Sequence, residues 1–126
     1  MDLRTPLSKV RGHGSAGDGT HHWWLQRVTA IANIPLVIFF VFIVVLNIGK
    51  THAEVAACLG SPMVVIGLLL AVLSITWHMR LGMQVVIEDY VHAEGTKIAM
   101  LLANTFFCTV LAVACGYSIL KLGFGV

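Results

Sequence analysis

Charge is what this chain has least of. Its 126 residues include eight lysines and arginines and six acidic residues, 11% in all, against 58% hydrophobic side chains. A soluble domain of this size needs far more charge to cover its surface, so a water-soluble globular fold is excluded. Cysteine is also sparse. Cys58, Cys108 and Cys115 form no C-x-x-C pair. Cys108 and Cys115 lie about two turns apart on one apolar run, too far for a disulfide, so all three read as small packing residues. There is no glycine-rich nucleotide loop, no nucleophile elbow, no iron–sulfur ligand set and no internal repeat. A net charge of +2, carried mainly by the first residues, speaks to membrane orientation and gives no reason to expect nucleic acid as a partner.

What the chain does have is three long apolar runs, at residues 28–49, 63–87 and 98–120. At about 1.5 Å of rise per residue, each can cross a hydrocarbon core roughly 30 Å thick. The first and third contain no charged residue, and the second is broken only by His78 and Arg80. The expected fold class is therefore an all-α membrane protein, with transmembrane helices over about 28–49, 63–91 and 98–120. Residues 1–22, rich in glycine and small polar groups, read as a flexible lead, and residues 23–126 as one three-helix domain lying in the lipid bilayer. The connections, roughly 50–62 and 88–97, are too short to fold on their own.

The first run is too long for a signal-peptide core and is expected to stay as an anchor. Arg4, Lys9, Arg11 and Arg27 precede it, against Lys50 in the first connection and Lys121 near the end. The positive-inside rule then sets the N-terminus and the 88–97 connection on the cytoplasmic face of a bacterial inner membrane, or on the matrix face if the chain is organellar. Trp23 and Trp24 suit an interfacial belt.

His78 stands out because an ionisable group at membrane depth is costly and its default reading is functional. It is the only histidine within an apolar run. Three roles fit an imidazole there: a metal or haem ligand, a proton relay, and a structural hydrogen bond across the bundle. If haem is held through both faces of its iron, the second ligand must come from another chain. At 100° per residue, Ser74, Gly82 and Asp89 fall within about 40° of His78 around the helix. Gly82 either clears space for a flat macrocycle or lets helices pack closely. Arg80 points the other way; it can snorkel, pair with a partner's acid, or meet the anionic edge of a cofactor.

Glu88, Asp89 and Tyr90 follow, with Asp89 about 16 Å along the helix from His78. Two carboxylates near a helix C-terminus run against the macrodipole, which raises the suspicion of function, unless the helix continues to Gly95 as its cap. Tyr90 at that depth is either an ordinary belt residue or a ligand contact.

The order His78, Gly82, Asp89, Tyr90 resembles the second-helix signature of the small hydrophobic anchor subunit of succinate dehydrogenase. So does Gln26-Arg27 with Thr29, Ala30, Asn33 and Pro35 at the first helix, and the lead through Arg4, Pro6, Leu7, Arg11, Gly12, Gly14 and Ser15 is similar to the proteobacterial form. This resemblance covers nearly the whole chain. It implies half of a heterodimeric helix bundle that shares one haem b with a second, haem-ligating anchor subunit and forms a ubiquinone site beside an iron–sulfur subunit. FAD and the iron–sulfur clusters then belong to partner subunits, a flavoprotein and an iron–sulfur protein, where succinate is oxidised. His78 matches the axial haem iron ligand, Tyr90 the donor to a quinone carbonyl, and Asp89 and Arg27 polar positions near that site. Ser74 and Gly82 lie on the haem-facing stripe. Arg80 departs from the family pattern, and its contact does not carry over. Two other roles compete: the haem b anchor of another quinone-linked complex such as a fumarate reductase, and a small transport or assembly protein without haem.

Overall fold

In hydrocarbon every backbone N–H and C=O must be satisfied within the protein, so apolar runs of this length become helices. A computed structural model describes residues 5–10 and 18–125. Arg4, Arg11 and the glycine-rich part of the lead lie outside the described residues. The elements are α1 (Pro6–Val10), α2 (Asp18–Leu46), α3 (His52–Leu59), α4 (Pro62–Tyr90) and α5 (Glu94–Phe124). Of these, α2, α4 and α5 are long and apolar enough to cross a membrane.

Three boundaries differ from expectation. α2 begins at Asp18, well before the apolar run at residue 28. Hydropathy marks the hydrocarbon core, whereas the helix runs on through Trp23, Trp24 and Gln26 into the interface. The first connection, too short to fold on its own, holds a short helix, α3, which is closed by a capping box. The Thr51 hydroxyl accepts from the Glu54 backbone N–H, and the Glu54 carboxylate accepts from the Thr51 backbone N–H at 2.8 Å. The last helix starts at Glu94, so Gly95 lies in its first turn and does not cap α4. α4 ends at Tyr90 with Val91 N–H donating to the Ile87 carbonyl. Glu88 and Asp89 therefore do occupy the last turn of a helix.

α4 is the centre of the molecule. It packs against α2 on one side and α5 on the other, while α2 and α5 do not meet. An apolar groove of about 660 Å³ separates them over α4, lined among others by Phe40, Ile43, Leu68 and Ile119. α3 folds against α5 and α4. The end where α2 begins and α4 finishes is called proximal below, and the end carrying α3 distal.

The apolar core lies toward the distal end. Ile43, Val64 and Leu68 are buried there, with Phe39, Leu59 and Ile119 packed on them. Gly67 makes this approach possible, since a Cβ at that position would come within 2.5 Å of the Phe39 ring. Outside this cluster Ala71, Leu81 and Ile87 of α4 and Cys108 of α5 are also buried. Most large apolar side chains of α2 and α5, such as Ile31, Phe42, Phe106 and Val113, remain exposed on the isolated chain. On helices long and apolar enough to cross a membrane, faces of this kind suit contact with lipid or with other membrane helices.

Candidate functional site along the α2–α4 seam

The proximal half of the α2–α4 interface is polar where the distal half is apolar. α2 turns Thr29 and Asn33 toward α4, one helical turn apart, and α4 turns His78 and Ser74 back at the same spacing. The Ser74 hydroxyl donates to Asn33 Oδ1 at 2.6 Å. Thr29 Oγ1 and His78 Nδ1 are 3.0 Å apart. Antiparallel helices in register place the two pairs in adjacent layers of one seam.

The hydrogen bonds around Thr29 show which nitrogen of the imidazole is engaged in the seam. Thr29 has one hydroxyl hydrogen, and the Leu25 carbonyl one turn back lies 2.8 Å from its oxygen. That hydrogen is committed to the helix, so the Thr29 oxygen accepts from Nδ1–H of His78. Nε2 is then the ring nitrogen left without a partner across the seam, and a metal-bound imidazole uses one nitrogen for the metal while the other donates a hydrogen bond. Among the described residues no group of three or more histidine, cysteine, aspartate or glutamate side chains could hold a metal ion. A metal at His78 would draw one ligand from this chain, which suits an iron already held by four porphyrin nitrogens and little else.

Gly82, one turn from His78, faces open space. A Cβ built there meets no heavy atom within 4 Å. Close helix packing within this chain therefore does not explain the glycine, while room beside the imidazole for a flat group fits it. Ser74 is engaged with Asn33, which makes it part of the seam.

The remaining sequence-predicted residues sit at the proximal end, and the structure does not gather them into one closed pocket. Asp89 and Tyr90 are exposed on the last turn of α4, Tyr90 at 79%. Arg27 is exposed on α2, its guanidinium 5.4 Å from the centre of the Trp23 ring. Trp23 and Trp24 lie side by side with ring centres 6.3 Å apart. Side chains this open can still line a site whose other walls belong to another chain.

Arg80 lies on the opposite face from His78, as the periodicity required. Its carbonyl accepts from Asn104 Nδ2 of α5 at 3.0 Å, and its guanidinium stands 5.8 Å from the Trp77 ring centre. Its Nε is buried without a hydrogen-bond partner in this chain. The three cysteines are free thiols.

Sequence reasoning missed the Thr29–His78 bond, although both residues had been singled out. It also missed a polar pocket of about 450 Å³ at the proximal end, lined by Gly19, His21, His22, Leu25, Gln84 and Glu88. The signal was available only in part: His22, Thr29 and Asn33 recur at helical spacing, but nothing short of the packed pair shows which face of α4 they meet.

Comparison with known proteins gives a consistent result. Residues 1–112 match the family model for the succinate dehydrogenase/fumarate reductase transmembrane subunit. The succinate dehydrogenase hydrophobic membrane anchor subunit of Rickettsia bellii is 34% identical over 90% of this chain and 90% of its own length. The corresponding subunit of Paracoccus denitrificans is 30% identical over 99% of this chain and 96% of its own. The succinate dehydrogenase membrane anchor subunit of Reclinomonas americana is 34% identical over 75% of this chain and 78% of its own. No solved structure matches.

Proposed function

The chain belongs to the succinate dehydrogenase/fumarate reductase transmembrane subunit family, and from that premise we propose that it anchors a succinate:ubiquinone oxidoreductase in the membrane, gives one axial ligand to haem b, and forms one wall of the ubiquinone-reduction site. The single observation that carries the haem reading is the Thr29–His78 hydrogen bond, which engages Nδ1 and leaves Nε2 available to a ligand. Gly82 supports it with open space one turn away. A second protein ligand to the haem would come from the other anchor subunit, because no other histidine of this chain lies within an apolar run.

Haem b, when bound, takes up and returns single electrons. The chain's own contribution is to hold the imidazole correctly turned through Thr29, and to exclude water with the seam on its far side. The exposed apolar faces of α2 and α5 lie against the second anchor chain and lipid. The basic residues Arg4, Lys9, Arg11 and Arg27 ahead of the first span support a proximal end on the cytoplasmic side, the side proposed for docking of the iron–sulfur and flavoprotein subunits.

At that end Tyr90 offers a neutral phenol donor to a quinone carbonyl oxygen, a bond that strengthens as charge builds on the oxygen. Asp89 and Arg27 border the same aqueous face. Reducing ubiquinone takes two electrons, from the iron–sulfur subunit, and two protons, from water. Exposed side chains at a membrane boundary suit the second requirement. Catalysis of succinate oxidation belongs to the soluble subunits.

The test is made on the complex purified with its partners. A sharp low-spin haem band together with succinate-driven ubiquinone reduction is expected. Quinol-driven fumarate reduction outrunning the forward reaction would assign the chain to a fumarate reductase, and absence of any haem band would favour a transport or assembly role.

A further inference from the structure

We propose that the proximal pocket between α2 and α4 is a hydrated proton-loading site for quinone reduction, in which His22 and Glu88 exchange protons with water and pass them toward Asp89 and Tyr90. The inference rests on the quinone reading above and adds residues that the reading does not use.

The pocket holds about 450 Å³ and is bounded by Gly19, His21, His22, Leu25, Gln84 and Glu88. That volume accommodates several waters at about 30 Å³ each. One wall of it needs them. Nε2 of His22 is buried and has no hydrogen-bond partner among the described residues, and a buried imidazole nitrogen left unmatched is costly unless water meets it. Across the pocket, Glu88 is held in place because Gln84 Nε2 donates to its Oε1 at 2.8 Å. Gln84 leaves the other carboxylate oxygen for solvent.

The groups facing the pocket are few and of the right kind. α2 contributes His21, exposed, and His22, half-buried. α4 contributes Glu88, and α5 contributes nothing to the lining. Arg27 stacks on Trp23 instead. Among the described residues no three such side chains could hold a metal ion, and a mixed imidazole–carboxylate lining does not suit an anion. Imidazole is the side chain that most readily takes up and gives up a proton near neutral pH.

The inner end of the pocket gives the route a direction. Leu25 closes it there, and the Leu25 carbonyl is taken by the Thr29 hydroxyl at 2.8 Å. Asp89 and Tyr90 are not part of the lining but follow Glu88 directly in the last turn of α4, all three exposed at the proximal end. For each quinone reduced to quinol, the iron–sulfur subunit supplies two electrons and two protons enter from the aqueous phase. Each proton moves from protonated His22 through water to the Glu88 carboxylate and on to the quinone oxygen, and His22 regains a proton from solvent on the His21 side. No group in the pocket is changed after the cycle.

The experiment uses the assembled four-subunit complex carrying His22→Phe, Glu88→Gln or Tyr90→Phe. Glu88→Gln keeps the shape and an acceptor for Gln84, so assembly is preserved even if His22→Phe perturbs α2. Expected for His22→Phe and Glu88→Gln is a fall of about a hundredfold in kcat for ubiquinone reduction, steepest above neutral pH, the low end of what a positioned proton donor contributes. The KM for quinone, the haem spectrum and succinate oxidation with an artificial acceptor should stay at parental values, and the solvent isotope effect in D2O should rise. Parental kcat and pH profile in both variants, with Tyr90→Phe impaired, would overturn the proton-loading role and leave the quinone site standing. A raised KM with unchanged kcat would also overturn it, by making the pair quinone contacts. If Tyr90→Phe is silent as well, the quinone reading itself fails.

Discussion

Thr29 and His78 stand 49 positions apart in the chain and meet at 3.0 Å across the α2–α4 seam. The bond links a back-bonded hydroxyl on one helix to the only imidazole at membrane depth on the next. It engages Nδ1 and leaves Nε2 available to a ligand.

Replacing Thr29 with valine keeps the β-branched shape and removes the acceptor for Nδ1–H. Haem affinity is expected to fall about ten- to a hundredfold, the usual cost of losing the group that orients a metal-bound histidine. Helix insertion should be unchanged and Thr29→Ser should restore binding, both read by haem titration of the isolated complex. Equal affinity for the valine variant would show that the bond orients nothing.

Gly82→Leu is expected to lower haem content while this chain still inserts and its helices still form. The reason is that a side chain there touches nothing within 4 Å in this chain. Pigment per mole of purified complex is the measurement. Full content would return Gly82 to helix packing against the partner.

Tyr90→Phe removes one hydroxyl and keeps the ring. A neutral hydrogen bond contributes about 0.5–1.5 kcal/mol net, so quinone reduction should slow by roughly two- to tenfold or more if the bond strengthens during reduction. Succinate oxidation with an artificial acceptor should persist, because that chemistry lies in other subunits. Equal loss in both assays would indicate misassembly.

Glu54 gives a prediction about pH. The hydroxyl of Thr51, followed by the Thr51 backbone N–H, holds the Glu54 carboxyl below the usual carboxylate range. A depressed folded-state value means that the cap favours the folded helix at neutral pH and loses that contribution as pH falls through the depressed value. Glu54→Gln should therefore speed amide exchange across α3 at neutral pH. The difference from the parent should vanish once acid has protonated Glu54. Identical exchange at neutral pH would show that the capping box does not stabilise α3.

Much of this architecture was legible beforehand. The three spans follow from the scarcity of charge within 28–49, 63–87 and 98–120, because hydrocarbon tolerates so little else. His78 and Arg80 on opposite faces followed from helical periodicity. α3 could have been read from Thr51 and Glu54, a capping-box pair three residues apart, but the shortness of the connection argued against it. The early start of α2 was hidden because Gly19 through His22 carry no apolar period. The Thr29–His78 and Ser74–Asn33 pairs were beyond reach for a different reason. Periodicity assigns a residue to a face of its own helix, whereas the register between two helices is set by packing such as Phe39 over Gly67.

The most direct measurement is the optical spectrum of the complex carrying His78→Ala. Insertion depends on total apolarity, which this change raises, so the helices should still assemble. No other imidazole of this chain lies at that depth. The low-spin haem b band is expected to be lost, reduced in occupancy or shifted to an altered ligation state, with only the partner's histidine and packing left to hold the pigment. An unchanged low-spin spectrum at full haem content would contradict the assignment of His78 as the axial ligand.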